Sequence, residues 1–262
     1  MTRHFIDLSM PLENDVRSDP DIARPRIEYV DHDASIERIQ TFFPDLRAED
    51  LPDAKGWAIE RIHLTTHNGT HLDAPYHFHP TMNHAKVPGG EPALTIDEVP
   101  LEWWYGPGVK LDFRHFPNGY VVTQRDVARE LERIEYDLCP GDIVLVNTAA
   151  GAAYGRDDYV DTGCGMGRDA TLSLLEKGVR LTGTDAWSWD APFVYTKQAV
   201  QASGNKALIW EGHKAGRDLA YCHLEKLHNL ESLPPHGFIV SCFPVKIKRA
   251  SAGWTRAVAI ME

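Results

Sequence analysis

The chain has 262 residues, 27 Lys+Arg against 38 Asp+Glu for a formal net charge of −11, and 43% hydrophobic residues. Those values are ordinary for a globular protein and exclude a disordered or fibrous chain. The acidic balance argues against nucleic acid and anionic membrane surfaces as partners, since both select positive surfaces.

In chain order, the first sixty residues are irregular, interrupted by Pro11, Pro20, Pro25, Pro44 and Pro52. Residues 1–10 carry Arg3, His4 and Asp7 and lack an apolar signal core, and no run approaches the roughly 20 apolar residues of a membrane span, so a cytoplasmic protein is expected. The irregular opening reads as a surface wrap or as a loop that covers a site. Residues 59–66 read as a strand leading into His67, and 109–113 as a short strand. Residues 123–138 read as a helix, with Thr123 as N-cap and Val127, Leu131, Ile134 and Leu138 as its apolar stripe. Residues 142–147 form a continuous apolar strand, expected to be buried. A second helix over 169–177 stops at Gly178, and 179–184 is another strand. Strands over 237–247 and 255–260 suggest a closing hairpin or meander. The expectation is a single mixed α/β domain over 1–262, neither an eightfold barrel nor a simple doubly wound sheet.

The four cysteines lie far apart in the chain, which argues against paired-cysteine zinc and against a disulfide framework. The 13 histidines, by contrast, are clustered. His67, His71, Asp73 and His77 all fall on odd positions, which share one face in extended chain. Asn68-Gly69 and Pro75 argue against a helix. His71 and Asp73 would stand about 6.6 Å apart in a strand, close enough to chelate one ion, whereas His67 and His71 would be about 13 Å apart if the chain ran straight. Gly69 must therefore turn the chain back to bring His67 in, using backbone angles other residues resist. Thr70 could orient a ligand by hydrogen bonding. His79 and His84 fall outside this pattern and read as surface residues.

In residues 211–236, His213 and Glu225 are the notable pair. His223, His228 and His236 have no evident partner and read as structural or solvent-facing.

The segment His67-Asn-Gly-Thr-His71-Leu-Asp73-Ala-Pro75-Tyr-His77 resembles the HxGTHxDxPxH motif of the cyclase family of metal-dependent hydrolases, which includes bacterial kynurenine formamidase (arylformamidase) and isatin hydrolase. All seven fixed positions match. Residues 6–12, the segment Gly183-Thr-Asp185-Ala-Trp-Ser188-Trp-Asp190, and the closing segments 229–234, 244–247 and 256–260 are similar to further stretches of the family. Residues 251–255 stand where members often have a Gly-Ser-Pro-type turn. The resemblance implies a β-rich core of the swivelling β/β/α type flanked by a few helices. It implies that His67, His71 and Asp73 hold one Zn²⁺ or Mn²⁺ ion, with Asp73 bridging to a second held by His213 and Glu225. Isatin hydrolase uses a single manganese site, so one or two ions per chain are expected, and Glu225 favours two. The resemblance also implies a homodimer or homotetramer and aromatic residues over the substrate, for which Phe42, Phe43, Trp57 and Trp187 are the candidates.

The expected chemistry is hydrolysis of a C–N amide bond in a small aromatic or cyclic amide by metal-activated water, with His77 as general base and acid. Asp185 and Ser188 either support the site or build a turn. A lactone or ester hydrolase, or a cyclase running the reverse ring closure, is the alternative, and a non-catalytic metal- or ligand-binding protein of the same fold is a third reading. No Gly-x-Ser-x-Gly elbow is present. Cys222 beside His223 is not how a catalytic cysteine meets its base.

Overall fold

The structure is a computed structural model that describes residues 3–261. Met1, Thr2 and Glu262, which the expected domain includes, lie outside the described residues. The strands that matter here are β1 (His4–Asp7), β2 (Arg26–Val30), β3 (Ile59–His63), β4 (His71–Asp73), β5 (Tyr105–Asp112), β6 (Ile143–Asn147), β7 (Leu181–Thr184), β8 (Cys222–Glu225), β9 (His236–Ser241), β10 (Ala252–Trp254) and β11 (Val258–Met261). The helices are α1 (Ile36–Gln40), α2 (Pro75–Phe78), α3 (Gln124–Arg133), α4 (Arg168–Glu176), α5 (Phe193–Ser203) and α6 (Glu211–Asp218).

Nine strands form one sheet in the order β1-β11-β9-β5-β6-β7-β8-β4-β10. The centre, β5 to β8, is parallel, and the strands on both flanks are antiparallel. The fold is thus mixed α/β, as expected. Buried on both faces, β6 sends Ile143 and Leu145 into one core cluster and Val144 and Val146 into the other, which explains its unbroken apolar run. Helices α3 and α4 cover the second cluster with Val127, Ala170 and Leu174.

Several boundaries differ from the sequence expectation for identifiable reasons. Thr123 caps α3 as expected, in a reciprocal box: Thr123 N–H donates to Asp126 Oδ2 at 2.9 Å, and Asp126 N–H to Thr123 Oγ1 at 3.3 Å. The helix ends before residue 138 because Glu135 turns left-handed, φ 53°, and Leu138 reaches the core from the following loop. The expected C-terminal hairpin is real but interrupted. Strands β9 and β11 pair antiparallel, and the chain between them crosses to lay β10 against β4 on the opposite edge. Helices α5 and α6 and strand β8 were not anticipated.

The N-terminal segment is a wrap. After β1 the chain runs over the His67–His71 turn, with Met10 N–H donating to Thr70 Oγ1 at 2.8 Å and the Asn68 side chain donating to Ala23 O at 2.7 Å. Strands β2 and β3 then form a separate antiparallel ribbon. Among the described residues, no helix is long and apolar enough to cross a membrane.

Candidate metal centre

Two adjacent strands build the floor of the site. In the β8–β4 register, Glu225 faces His71 and His223 faces Asp73. Residues two apart share a face, so His71, Asp73, His223 and Glu225 all project to one side, while Leu72 and Leu224 point into the core behind them. All four are buried. Gly69 turns the chain back at φ 60° and brings His67 Nδ1 to 2.9 Å from Asp73 Oδ1. Pro75 starts α2 in its first turn, and the helix aims His77 Nε2 at Asp73 Oδ2, 3.6 Å away. Helix α6 supplies His213, whose Nε2 lies 3.6 Å from Glu225 Oε1 and 3.9 Å from Asp73 Oδ2.

Hydrogen bonds fix which nitrogens are free. His71 Nδ1 lies 2.9 Å from the Gly69 carbonyl, which can only accept, so Nδ1 carries a proton and, in the neutral ring, Nε2 holds the lone pair. That lone pair faces Asp73 Oδ1 at 3.3 Å and Glu225 Oε2 at 3.6 Å. His71 Nε2 is buried with no hydrogen-bond partner among the described residues, and buried Asp73 Oδ1 beside it is met by the His67 imidazole at 2.9 Å. Two imidazole nitrogens converging on one buried carboxylate oxygen at this range fit a shared cation. His213 repeats the pattern. Its Nδ1 donates to Asp190 Oδ2, so its Nε2 lone pair is directed at the two carboxylates. The Asp190 carboxylate also accepts from the first amides of α6, Gly212 N–H at 2.8 Å and His213 N–H at 3.1 Å, which locks the helix start. The donor set of imidazoles and carboxylates is the kind that holds Zn²⁺ or Mn²⁺.

The electrostatics agree. Burial alone would raise the Asp73 carboxyl, but His77, His71, His223 and His67 around it hold it well below the usual range. Burial also opposes ionisation of Glu225, and the hydrogen bond from His223 brings it down to about 2. His223 is pushed down by burial, yet its bonds to Asp73 and Glu225 raise it to about 9. Burial lowers His77 to about 4 against the pull of Asp73, so its imidazole is neutral at neutral pH.

The model of the Cyclase family, described as "Putative cyclase", matches residues 6–191. The chain belongs to the Cyclase family. A kynurenine formamidase from Salinibacter ruber is 27% identical over 197 residues, covering 75% of this chain and 77% of the relative. Isatin hydrolase A from Labrenzia aggregata, bound to benzyl benzoate, superposes with a TM-score of 0.73 at 24% identity, covering 99% of this chain and 94% of that one. An isatin hydrolase bound to the product analogue thioisatinate gives 0.72 at 19%, covering 99% and 92%. The fold of this Cyclase-family chain is therefore that of the isatin hydrolases.

A cavity of about 200 Å³ opens over the cluster, lined by His67, His77, Trp187, Ser188, Phe193, Trp210, His213, Glu225 and Lys226. Trp210 stacks on His213 with ring centroids 4.7 Å apart and a 10° interplanar angle. Of the residues expected to meet the substrate, Trp187 lines this cavity and Phe42, Phe43 and Trp57 do not. Phe42 packs on Trp57 at a centroid distance of 6.3 Å, and Phe43 and Trp57 line a separate surface groove with Ile39, Leu46 and Leu51. Helix α1 and the short turns after it fold those aromatics onto one another rather than over the site.

Thr70 holds the N-terminal wrap and donates to Lys226 O at 2.6 Å, not to a cluster side chain. Asp185 is a turn builder. It accepts from Asn147 Nδ2 at 2.7 Å and from Thr148 N–H and Oγ1, which anchors the loop after β6, while burial pushes its carboxyl up to about 7. Ser188 faces the cavity.

Two residues of the site carry more than their sequence reading gives them. Asp190 was noted only within a motif, yet it orients His213. His223, read as structural or solvent-facing, is fully buried and lies 3.1 Å from Asp73 Oδ2 and 3.2 Å from Glu225 Oε1. The available signal was the period of two: His223-x-Glu225 repeats His71-x-Asp73. His79 and His84 are half-buried rather than exposed, joined through the Thr81 hydroxyl at 3.0 and 2.8 Å. Ser251, in the segment that departs from the family turn, lies 3.1 Å from His67 Nε2.

Proposed function

We propose that this member of the Cyclase family is a metal-dependent hydrolase that cleaves a C–N amide bond of a small aromatic or cyclic amide. The observation that carries the reading is the convergence of the His67, His71 and Asp73 ligand atoms, with buried His71 Nε2 left without a hydrogen-bond partner among the described residues, on the floor of an aromatic-walled cavity. A divalent ion, Zn²⁺ or Mn²⁺, held by His67, His71 and Asp73, with a second shared between Asp73, His213 and Glu225, would supply Lewis acidity and an activated water.

The chain's own residues supply the rest. Trp187, Phe193 and Trp210 offer flat faces and edges to a planar ring, and a cavity of about 200 Å³ suits a substrate of one or two rings. His77, neutral and facing the cavity, can take a proton from water at Nε2 and return it to the leaving nitrogen. Kynurenine formamidase and isatin hydrolase are named for an aryl formamide and a cyclic amide, which sets the first substrates to try. We further propose a homodimer or homotetramer, supported by exposed Tyr29 and Ile62 on the β2–β3 ribbon and exposed Phe42 and Phe43 in the segment between its strands, and a cytoplasmic location.

The test is metal content of the purified protein, followed by turnover of N-formylkynurenine and isatin with added Zn²⁺ or Mn²⁺. Ion uptake with hydrolysis of either amide is expected. A saturated stoichiometry near one per chain would remove the second ion, and no hydrolysis of any amide would overturn the assignment.

A further inference from the structure

Directly after Glu225 the chain buries a lysine. Lys226 is 1% exposed, and its partner Asp19, from the N-terminal wrap, is 2% exposed. The Lys226 ammonium donates to Asp19 Oδ1 and, at 2.9 Å, to the backbone carbonyl of His67. Asp19 Oδ1 also accepts the Trp187 indole N–H at 3.2 Å, and Asp19 Oδ2 accepts from Ser18 Oγ at 2.9 Å. The Lys226 backbone is left-handed, φ 57°, a conformation that a long L side chain keeps only where its surroundings over-determine it. Here they do, since its N–H donates to Ala186 O at 3.0 Å and its carbonyl accepts from Thr70 Oγ1 at 2.6 Å.

One ion pair thus ties together the turn that carries His67, the loop that carries Trp187, and the wrap. A buried ion pair is a poor way to gain stability, because an apolar pair of the same volume avoids the desolvation of two charges. What an ammonium offers that an apolar group cannot is a directed bond to the His67 carbonyl.

We propose that Lys226 and Asp19 are positioning residues: the pair sets the His67 backbone, and through it the imidazole beside Asp73, and it holds the Trp187 wall in place. The wrap is then a working part of the site, because it delivers the counter-charge. The proposal rests on the metal-site reading only for its ion readout.

The experiment compares the wild-type full chain, Asp19→Asn, Lys226→Met and the double variant after metal removal. Thermal melting, Mn²⁺ affinity by calorimetry, and the rate of His67 acylation by diethyl pyrocarbonate, read by peptide mass, are measured on each. The single variants should melt lower, since each leaves one buried charge alone, and the double variant should recover most of that loss. His67 should nonetheless be modified several-fold faster in Lys226→Met and in the double variant, and Mn²⁺ should bind about 10-fold more weakly in both. A double variant with recovered melting and wild-type His67 reactivity would overturn the proposal, leaving the pair as scaffolding. Wild-type protein that takes up no Mn²⁺, while His67 reactivity still follows Lys226, would instead remove the metal reading and uphold the positioning role.

Discussion

His223 and Asp73 are direct partners across the β8–β4 ladder, with Nε2 3.1 Å from Oδ2. On its other side, His223 Nδ1 lies 3.2 Å from the Tyr221 hydroxyl, which already donates its proton to Gly212 O. That hydroxyl can only accept, so Nδ1 carries a proton, and Nε2 must present either a second proton or an ion to the carboxylates. In metal-free protein His223 is therefore the buried cation between Asp73 and Glu225. His223→Ala should cost about 3 kcal/mol or more in metal-free protein, by removing the charge that two buried carboxylates share, with only Trp189 N–H on Glu225 Oε1 and the His67 imidazole on Asp73 as remaining donors among the described residues, and His223→Gln should cost less. Melting of the two variants with and without added Zn²⁺ checks this, and equal melting of His223→Ala and wild type without metal would sink the assignment.

The same pairing shows how much of the site could be read from sequence. His77 arrives on α2, a helix opened by the very Pro75 that argues against one in sequence, whereas His67, His71 and Asp73 were legible because they are local, through the period of two in His71–Asp73 and the Gly69 turn. The buried run of β6 and the Thr123 cap of α3 were legible for the same reason. His223 and Asp190 were not, because their roles come from long-range contacts, a strand register 150 residues apart and a helix start that docks on a distant carboxylate. Phe42, Phe43 and Trp57 lie away from this chain's cavity for the same reason. An aromatic side chain is recognisable in sequence, but what it packs against is decided by tertiary structure.

Asp190 fixes His213 through Nδ1 and so frees Nε2 for an ion. Asp190→Asn keeps the volume but removes the charge. Such outer partners are worth about 10–100-fold in ion affinity. The variant should keep its circular dichroism spectrum and bind Zn²⁺ more weakly by that factor in a competition titration, with wild-type affinity counting against the role.

His77 faces the cavity, and its Nε2 lies further from Asp73 than His67 Nδ1 does, 3.6 Å against 2.9 Å. If it moves protons rather than holding the ion, His77→Ala should lower turnover by about 10²–10⁴-fold while ion content stays at the wild-type level. Loss of ion together with activity would make it a ligand instead.

The stability of metal-free protein should depend on pH in a defined direction. His223 is raised to about 9 from its ordinary 6.5, so its contribution is complete below about 6.5 and is lost as pH rises through about 9. Asp73 and Glu225 are lowered, so theirs is present above the ordinary carboxylate range and fades as pH falls below it. Melting temperature should peak between roughly pH 5 and 6.5 and fall on both sides. Saturating Zn²⁺ should hold the alkaline side up, since the ion then satisfies the carboxylates without the His223 proton. A flat alkaline limb in metal-free protein would contradict the pairing.

Gly69 links the histidine turn to the wrap. Its φ of 60° is left-handed, and a Cβ there would stand 2.7 Å from Leu12 Cδ2. Gly69→Ala should therefore lose about 1–2 kcal/mol from the backbone conformation, plus the cost of moving Leu12. Gly69→Ala should also weaken Mn²⁺ binding by shifting His67, and adding Leu12→Ala removes the clash but not the backbone cost, so the double variant should recover only part of the lost stability and ion affinity. Melting and Mn²⁺ titration of the single and double variants separate the two contributions. Full recovery on removing Leu12 would assign the whole effect to the clash, and wild-type behaviour of Gly69→Ala would show that the turn does not depend on glycine.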